Sequence, residues 1–239
     1  MMPKKIILIA LLITILVFIG MGAYYLLRYY FNPGRWLKIS AWMRDPQAHP
    51  EWAVKAGERC GDAPFLIPTD GLIGYLWSDS FRPGHHHQGI DIFSGTPSGQ
   101  TAVVAVYDGY LTRLPEWKSS LIIRIPQDPL QPDRQIWTYY THLADDAGNS
   151  LILDDYPPGT QEVFVRAGTV LGFQGDYSGN PDNPVGVHLH FSIVKDDGTG
   201  HFLNELKITN TLDPSQYFML SLNARDFTGD FPSCNLVAQ

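Results

Sequence analysis

Beyond Lys5 the 239-residue sequence contains no run of lysine or arginine, and its formal net charge is −7. A protein that grips a phosphate backbone normally presents a basic stripe, so nucleic acid is not expected as a partner. The same acidity provides no electrostatic pull toward anionic lipids or polymers. Only two cysteines occur, Cys60 and Cys234. That is too few for a Cys₄ zinc site, and Cys₂His₂ finger spacing is lacking too. No His-Glu-x-x-His helix is present, which removes the metallopeptidase class that draws its base from that glutamate. Internal repeats and low-complexity tracts are also missing. What is present suits one sizeable domain with attachments, and an apolar content of 44% is ordinary for a packed core.

The longest apolar run lies near the start. Lys4 and Lys5 precede residues 6–27, which include no charged side chain. As a helix this run spans about 33 Å, close to the hydrocarbon thickness of a bilayer. The alternative is a cleaved signal peptide, whose apolar region is usually shorter. Gly20, Gly22 and Ala23 could offer a cleavage site, yet Tyr24, Tyr25, Leu26 and Leu27 continue the run past it. Tyr24, Tyr25, Tyr29 and Tyr30 resemble an interfacial aromatic belt. The reading is a retained single-pass anchor in the cell membrane, with residues 1–5 as a cytoplasmic stub. Lys4, Lys5 and the terminal amine favour the N-terminus inside, although Arg28 and Arg35 flank the far side. Cys60 and Cys234 then lie outside the cytoplasm, where a disulfide is expected; the alternative is two unrelated thiols. A bridge would close a loop of about 175 residues, worth about 5 kcal/mol on the chain-entropy model.

Residues 28–63 read as a stalk. Asn32-Pro33-Gly34 ends the first helix, and Trp36, Leu37, Ile39, Trp42 and Met43 mark a short amphipathic helix that Asp45-Pro46 stops. It could rest on the membrane or pack on the domain. From Pro64 the pattern becomes short β-rich runs at 89–93, 102–106, 121–125, 136–143, 162–165, 170–173 and 187–194, separated by Gly, Pro, Asn and Asp. With no long helical period between them, a mainly β, antiparallel domain over 64–218 is predicted, followed by a tail at 219–239 with a helical turn near 215–222.

Of eight histidines, three cluster at His85, His86 and His87, two at His188 and His190, and one stands at His142. His49 and His201 look incidental. Side chains alternate faces along a strand, so Val187, Leu189, Phe191 and Ile193 point to a core while His188, His190 and Ser192 share the opposite face. An isolated His-x-His is most often a solvated polar face. The second cluster shifts that balance. In His87-Gln88-Gly89-Ile90-Asp91, read as a strand, His87, Gly89 and Asp91 share the face opposite Ile90 and Ile92, and Gly89 leaves space between the outer groups. Imidazole nitrogen and carboxylate oxygen both suit zinc at about 2 Å. Three such ligands leave a fourth position for water, as in a catalytic site. His142 closes a third segment, Tyr140-Thr141-His142-Leu143, and by alternation shares a face with Tyr140.

Together these segments resemble the lysostaphin-like, or LytM-type, zinc endopeptidases, whose pattern is His-x-x-x-Asp, then Tyr-x-His-Leu, then His-x-His. Here they stand as His87-Gln-Gly-Ile-Asp91, Tyr140-Thr-His142-Leu and His188-Leu-His190-Phe. The resemblance runs from about Pro64 to Phe218, taking in Gly168-Thr-Val-Leu-Gly172, Gly175-Asp-Tyr-Ser-Gly179 and Asp213-Pro214. It implies an antiparallel β-sheet groove of the LytM/lysostaphin type, with one zinc ion held by His87, Asp91 and His190. His188 and His142 would be catalytic, His188 as base and His142 as stabiliser of the tetrahedral intermediate, roles that could be exchanged. The implied reaction is hydrolysis of peptidoglycan peptide bonds by a membrane-anchored, extracytoplasmic domain. The alternative is a non-catalytic wall-binding or hydrolase-activator protein on the same scaffold. Pro115-Glu-Trp departs from the family pattern, and enlarged loops at 128–134 and 145–158 are expected to reshape the groove walls.

Overall fold

The computed structural model describes residues 3–30, 33–80, 84–227 and 231–234. The β-branched and aromatic runs form strands β1 (Ala53–Val54), β2 (Gly71–Tyr75), β3 (Ile90–Phe93), β4 (Ala102–Val104), β5 (Gly109–Thr112) and β6 (Leu121–Ile125). They continue as β7 (Ile136–Thr141), β8 (Val163–Val165), β9 (Val170–Phe173), β10 (Leu189–Lys195) and β11 (Thr211–Leu212). Among the described residues, nine of these make one sheet in the order β1-β2-β3-β10-β7-β6-β5-β8, with β11 also paired to β10, while β4 and β9 pair separately. Each pairing is antiparallel, so the architecture is the mainly β, antiparallel one expected.

Strands β2 and β5 were not anticipated, because Gly71, Gly74 and Gly109 weaken the strand signal. Two of these glycines are required by close backbone approach. A Cβ on Gly109 would lie 2.5 Å from Arg124 O, and one on Gly71, whose φ is +144°, would lie 2.4 Å from Phe93 O.

The sheet has two different faces. On one, Ile73, Ile90, Ile92, Leu121, Ile123 and Phe191 enter the main core. The other is apolar only at its flanks. Leu72 and Phe93 form one patch with Ile39, Trp42 and Phe231, and Ile122, Trp137 and Val194 form another beside Trp117 and Phe202. Between the patches lies a polar strip.

Helix α1 (Lys4–Tyr30) includes Lys5–Leu26, with mean hydropathy 3.0 and no burial by the described residues, which makes it a candidate membrane span or signal sequence. The side chains of Tyr29 and Tyr30, and the expected helix stop at Asn32, lie outside the described residues. Helix α2 (Pro33–Arg44) is the amphipathic segment, and it packs on the sheet. Ile39 and Trp42 are buried there, and Trp42 Nε1 donates to Phe93 O at 2.7 Å. Burying two such side chains stabilises the contact by about 1.5–3 kcal/mol each. Cys60, in the main core, is bonded to Cys234, so the chain end carrying Phe231 is clasped over α2.

Helix α3 (Ser215–Phe218) ends earlier than the expected turn because Met219 adopts a left-handed φ of 50°. The loop at 128–134 closes on α3, where Arg134 and the Tyr217 hydroxyl both donate to Asp128. Among the described residues, none of 128–134 or 145–158 lines the groove around His87, Asp91 and His190. The expectation that 128–134 reshapes the groove wall is corrected, since this hairpin sits at the opposite end of β6 and β7 from His142.

Candidate metal centre

Sheet register builds the floor of the polar strip. His190 on β10 lies directly opposite Asp91 on β3 and Thr141 on β7, so one row crosses three neighbouring strands. Asp91 and His190 emerge on the groove face because Ile90, Ile92, Leu189 and Phe191 are taken by the core. His87 arrives by a different route. Strand β3 begins only at Ile90, and His87 precedes it in an irregular segment whose backbone exchanges hydrogen bonds with Ser78 and Asp79. Gly89 serves that path rather than leaving room between ligands, because a Cβ there would lie 2.1 Å from Phe191 O.

The three ligand atoms converge. His87 Nε2 lies 3.1 Å from Asp91 Oδ1 and 3.0 Å from His190 Nδ1, and His190 Nδ1 lies 2.8 Å from Asp91 Oδ1. All three residues are at most 9% exposed. Their outer partners fix one proton on each ring. His87 Nδ1 is 3.0 Å from Leu76 O, a carbonyl that can only accept, so Nδ1 carries a proton and a ligating ring would present the Nε2 lone pair inward. His190 Nε2 donates to Glu205 Oε1 at 2.9 Å, leaving Nδ1 to face the same point.

This arrangement fits a divalent cation. Tetrahedral ligands at about 2.0–2.1 Å from zinc are about 3.3 Å apart, near the separations here. A proton can partly substitute. Burial opposes charge on His190, but hydrogen bonds to Asp91 and Glu205 outweigh it and push its pKa up to about 10. One proton on Nδ1 still leaves the His87 Nε2 and Asp91 Oδ1 lone pairs facing each other. A cation at the centre relieves all three contacts together. Burial also works to raise the Asp91 pKa, yet the imidazoles of His87 and His188 hold its carboxyl well below the usual range.

His142 and His188 stand beside this triangle, their ring centroids 4.5 Å apart. Strand alternation did not place His142. Tyr140 is fully buried, its hydroxyl accepting from Val106 N–H, whereas His142 follows the end of β7 with a φ of 69°. That left-handed turn swings its ring onto the groove side. Gly175 then staples the pair, its N–H donating to His142 O at 2.8 Å and its carbonyl accepting from His188 N at 3.2 Å. A Cβ on Gly175 would lie 1.9 Å from Ala144 O, so only glycine permits the approach. Each ring is oriented by a carbonyl, His142 Nδ1 donating to Tyr177 O at 2.8 Å and His188 Nδ1 to Gly186 O at 2.5 Å. His188 Nε2 lies 3.8 Å from Asp91 Oδ1 and is not in the ligand triangle. Burial, aided by the neighbouring His188, pushes the His142 pKa down to about 3, and burial lowers that of His188 as well. Both rings are therefore neutral near pH 7 and offer lone pairs.

The groove around these residues has a volume of about 720 Å³. Its floor includes Tyr139 and Thr141, and its walls come from α2, from Val185-Gly186 and from Glu205-Leu206. Glu205 escaped the sequence reading because it lies on a turn-rich stretch with no periodic relation to His190. A carboxylate among turn residues is usually solvated; this one is mostly covered, and the hydrogen bond from His190 keeps its pKa low against burial. His86 is exposed, His49 stacks on Trp52, and His201 lies near Asp197, so none of these joins the site.

No family model and no curated protein matches the sequence. Solved structures similar to it include the antimicrobial peptidase lysostaphin from Staphylococcus simulans, at 16% identity and a TM-score of 0.39 over 74% of this chain and 57% of that one. Helicobacter pylori Csd3 aligns at 19% identity and a TM-score of 0.36, over 59% of this chain and 33% of that one. A mutant catalytic domain of the prophage-encoded M23 protein EnpA from Enterococcus faecalis aligns at 19% identity and a TM-score of 0.35, over 64% of this chain and 95% of that one. The chain thus spans about a third of Csd3 and somewhat over half of lysostaphin.

Proposed function

We propose that this protein is a zinc-dependent endopeptidase of the lysostaphin-like kind, anchored in a membrane by α1, that hydrolyses peptide bonds of peptidoglycan. The observation that carries the reading is the convergence of three inward-facing acceptors, His87 Nε2, Asp91 Oδ1 and His190 Nδ1, beside two neutral histidines in one groove. The three sequence motifs and their order support the family and the wall substrate.

When bound, zinc would lower the pKa of a ligating water from about 15.7 toward 7 and polarise a substrate carbonyl. The remaining work falls to the chain. His188 Nε2, beside the ligand triangle, takes a proton from the attacking water and returns it to the leaving amine. His142 offers Nε2 as a second acceptor that orients the same water. The stabiliser role expected from the sequence would need a second proton on His142, which its partly buried place next to His188 disfavours. Leu76 O and Glu205 hold the ligand rings in the tautomers that ligation needs.

Purified full-length protein in detergent should clear a suspension of isolated cell wall, lose that activity to a chelator and regain it with zinc. Binding of wall without clearing under all these conditions would instead establish a non-catalytic wall-binding protein. Glu205→Gln keeps the size but not the charge that supports His190, and it should weaken zinc binding about 10–100-fold. Competition with a chromophoric chelator measures this directly. Unchanged affinity would remove Glu205 from the centre.

A further inference from the structure

The groove has a wall that lies outside the span of the three motifs. Trp36, Ile39 and Met43 of α2 line the same cavity as His87, Asp91 and His188. Their spacing puts them along one side of the helix. Ile39 is buried on the sheet, but Trp36 remains 60% exposed at the rim, and an exposed tryptophan on a docked helix offers a large apolar surface to something else. On the far side Leu206 is 74% exposed and Val185 half-buried. An apolar rim therefore surrounds the polar floor.

The helix is tied to the metal-ligand segment as well as to the sheet. Trp42 is bonded to Phe93 O, and Arg35 pairs with Asp79 Oδ2 at 2.5 Å. The Asp79 carbonyl in turn accepts the His87 N–H at 2.7 Å. Trp36, next to Arg35, thus has a defined place relative to His87.

We infer that α2 is a specificity-determining wall of the substrate cleft, in which Trp36 and Met43 bind the methyl or methylene groups of a peptide residue flanking the scissile bond. This rests on the endopeptidase reading above. Contacts of this kind act on bound substrate and transition state alike, so they govern KM rather than kcat.

The test uses full-length protein in detergent micelles and soluble peptide-bearing fragments of cell wall. Trp36→Ala/Met43→Ala should raise KM about 5–10-fold with kcat within about 2-fold and zinc content unchanged, as loss of uniform apolar binding requires. Leu37→Ala, on a side chain that does not line the groove, should leave KM as it is. An unchanged KM in the double variant overturns the inference. So does a fall in kcat alone, which would make α2 a support for the centre, or a rise in kcat/KM, which would make it an obstruction. Should the double variant lose zinc, Met43→Gln alone provides the same comparison. Wild-type protein that holds zinc but leaves the fragments intact defeats the endopeptidase reading. Calorimetric binding of the same fragments then still reads the cleft, and equal affinity for wild type and variant overturns the subsite.

Discussion

Asp91→Asn protein is expected to purify with almost no zinc, against about one ion per chain in the wild type. Asp91 is the only carboxylate in the ligand triangle, and its Oδ1 touches both imidazoles at 2.8 and 3.1 Å. With an amide there, two neutral rings would have to hold a divalent ion with no negatively charged ligand, since Glu205 acts only from behind His190. The desolvation cost of such a charge is many kcal/mol and goes uncompensated. The amide nearly preserves volume, so the core beneath Ile90 and Ile92 should stay intact and far-UV circular dichroism should match the wild type. Wall hydrolysis should fall more than about 1000-fold, since removal of the ion removes both activated water and carbonyl polarisation. Elemental analysis decides the matter: a folded Asp91→Asn protein that keeps about one zinc per chain would refute the ligand assignment.

The second large effect separates chemistry from metal binding. His188→Ala should lower kcat about 100- to 10,000-fold, the usual contribution of a positioned general base. Zinc should remain, because His188 Nε2 stands 3.8 Å from Asp91 Oδ1 and its Nδ1 is engaged by Gly186 O. The pH profile offers an independent check. Burial lowers the His188 pKa, so in the wild type the acid limb of kcat/KM should fall below the ordinary histidine value of about 6.5. The variant should lose that limb. A variant that hydrolyses wall at the wild-type rate would exclude His188 as the base.

Much of this site is legible in the sequence. Asp91 and His190 could be placed on one side of their strands by period-two alternation, because the flanking isoleucines, Leu189 and Phe191 have only the core to enter. The cysteine pair suggested a clasp by its position alone. Alternation misplaced His142, because one left-handed residue after the last strand position cancels the rule. It also misassigned the work of Gly89, whose neighbour in space, Phe191 O, is about a hundred residues away in the chain. Glu205 carried no local signal for its role, the amphipathic pattern of α2 left open whether membrane or domain covers it, and the motif around Gly175 did not show what its backbone bonds. Each acts through a partner set by the packing of other segments.

The resemblance of three short motifs to the LytM-type pattern named the five groups at the centre, whereas local patterning by itself determined the β class and the apolar first helix. Those properties depend on neighbours two to four residues apart, which a linear sequence records. Only tertiary structure decided that His87 reaches the triangle from outside a strand, which outer ring nitrogens donate, and that α2 lines the groove while the 128–134 hairpin lies away from it. Such features depend on register and packing between distant segments, where many arrangements share the same local pattern and the buried contacts select one.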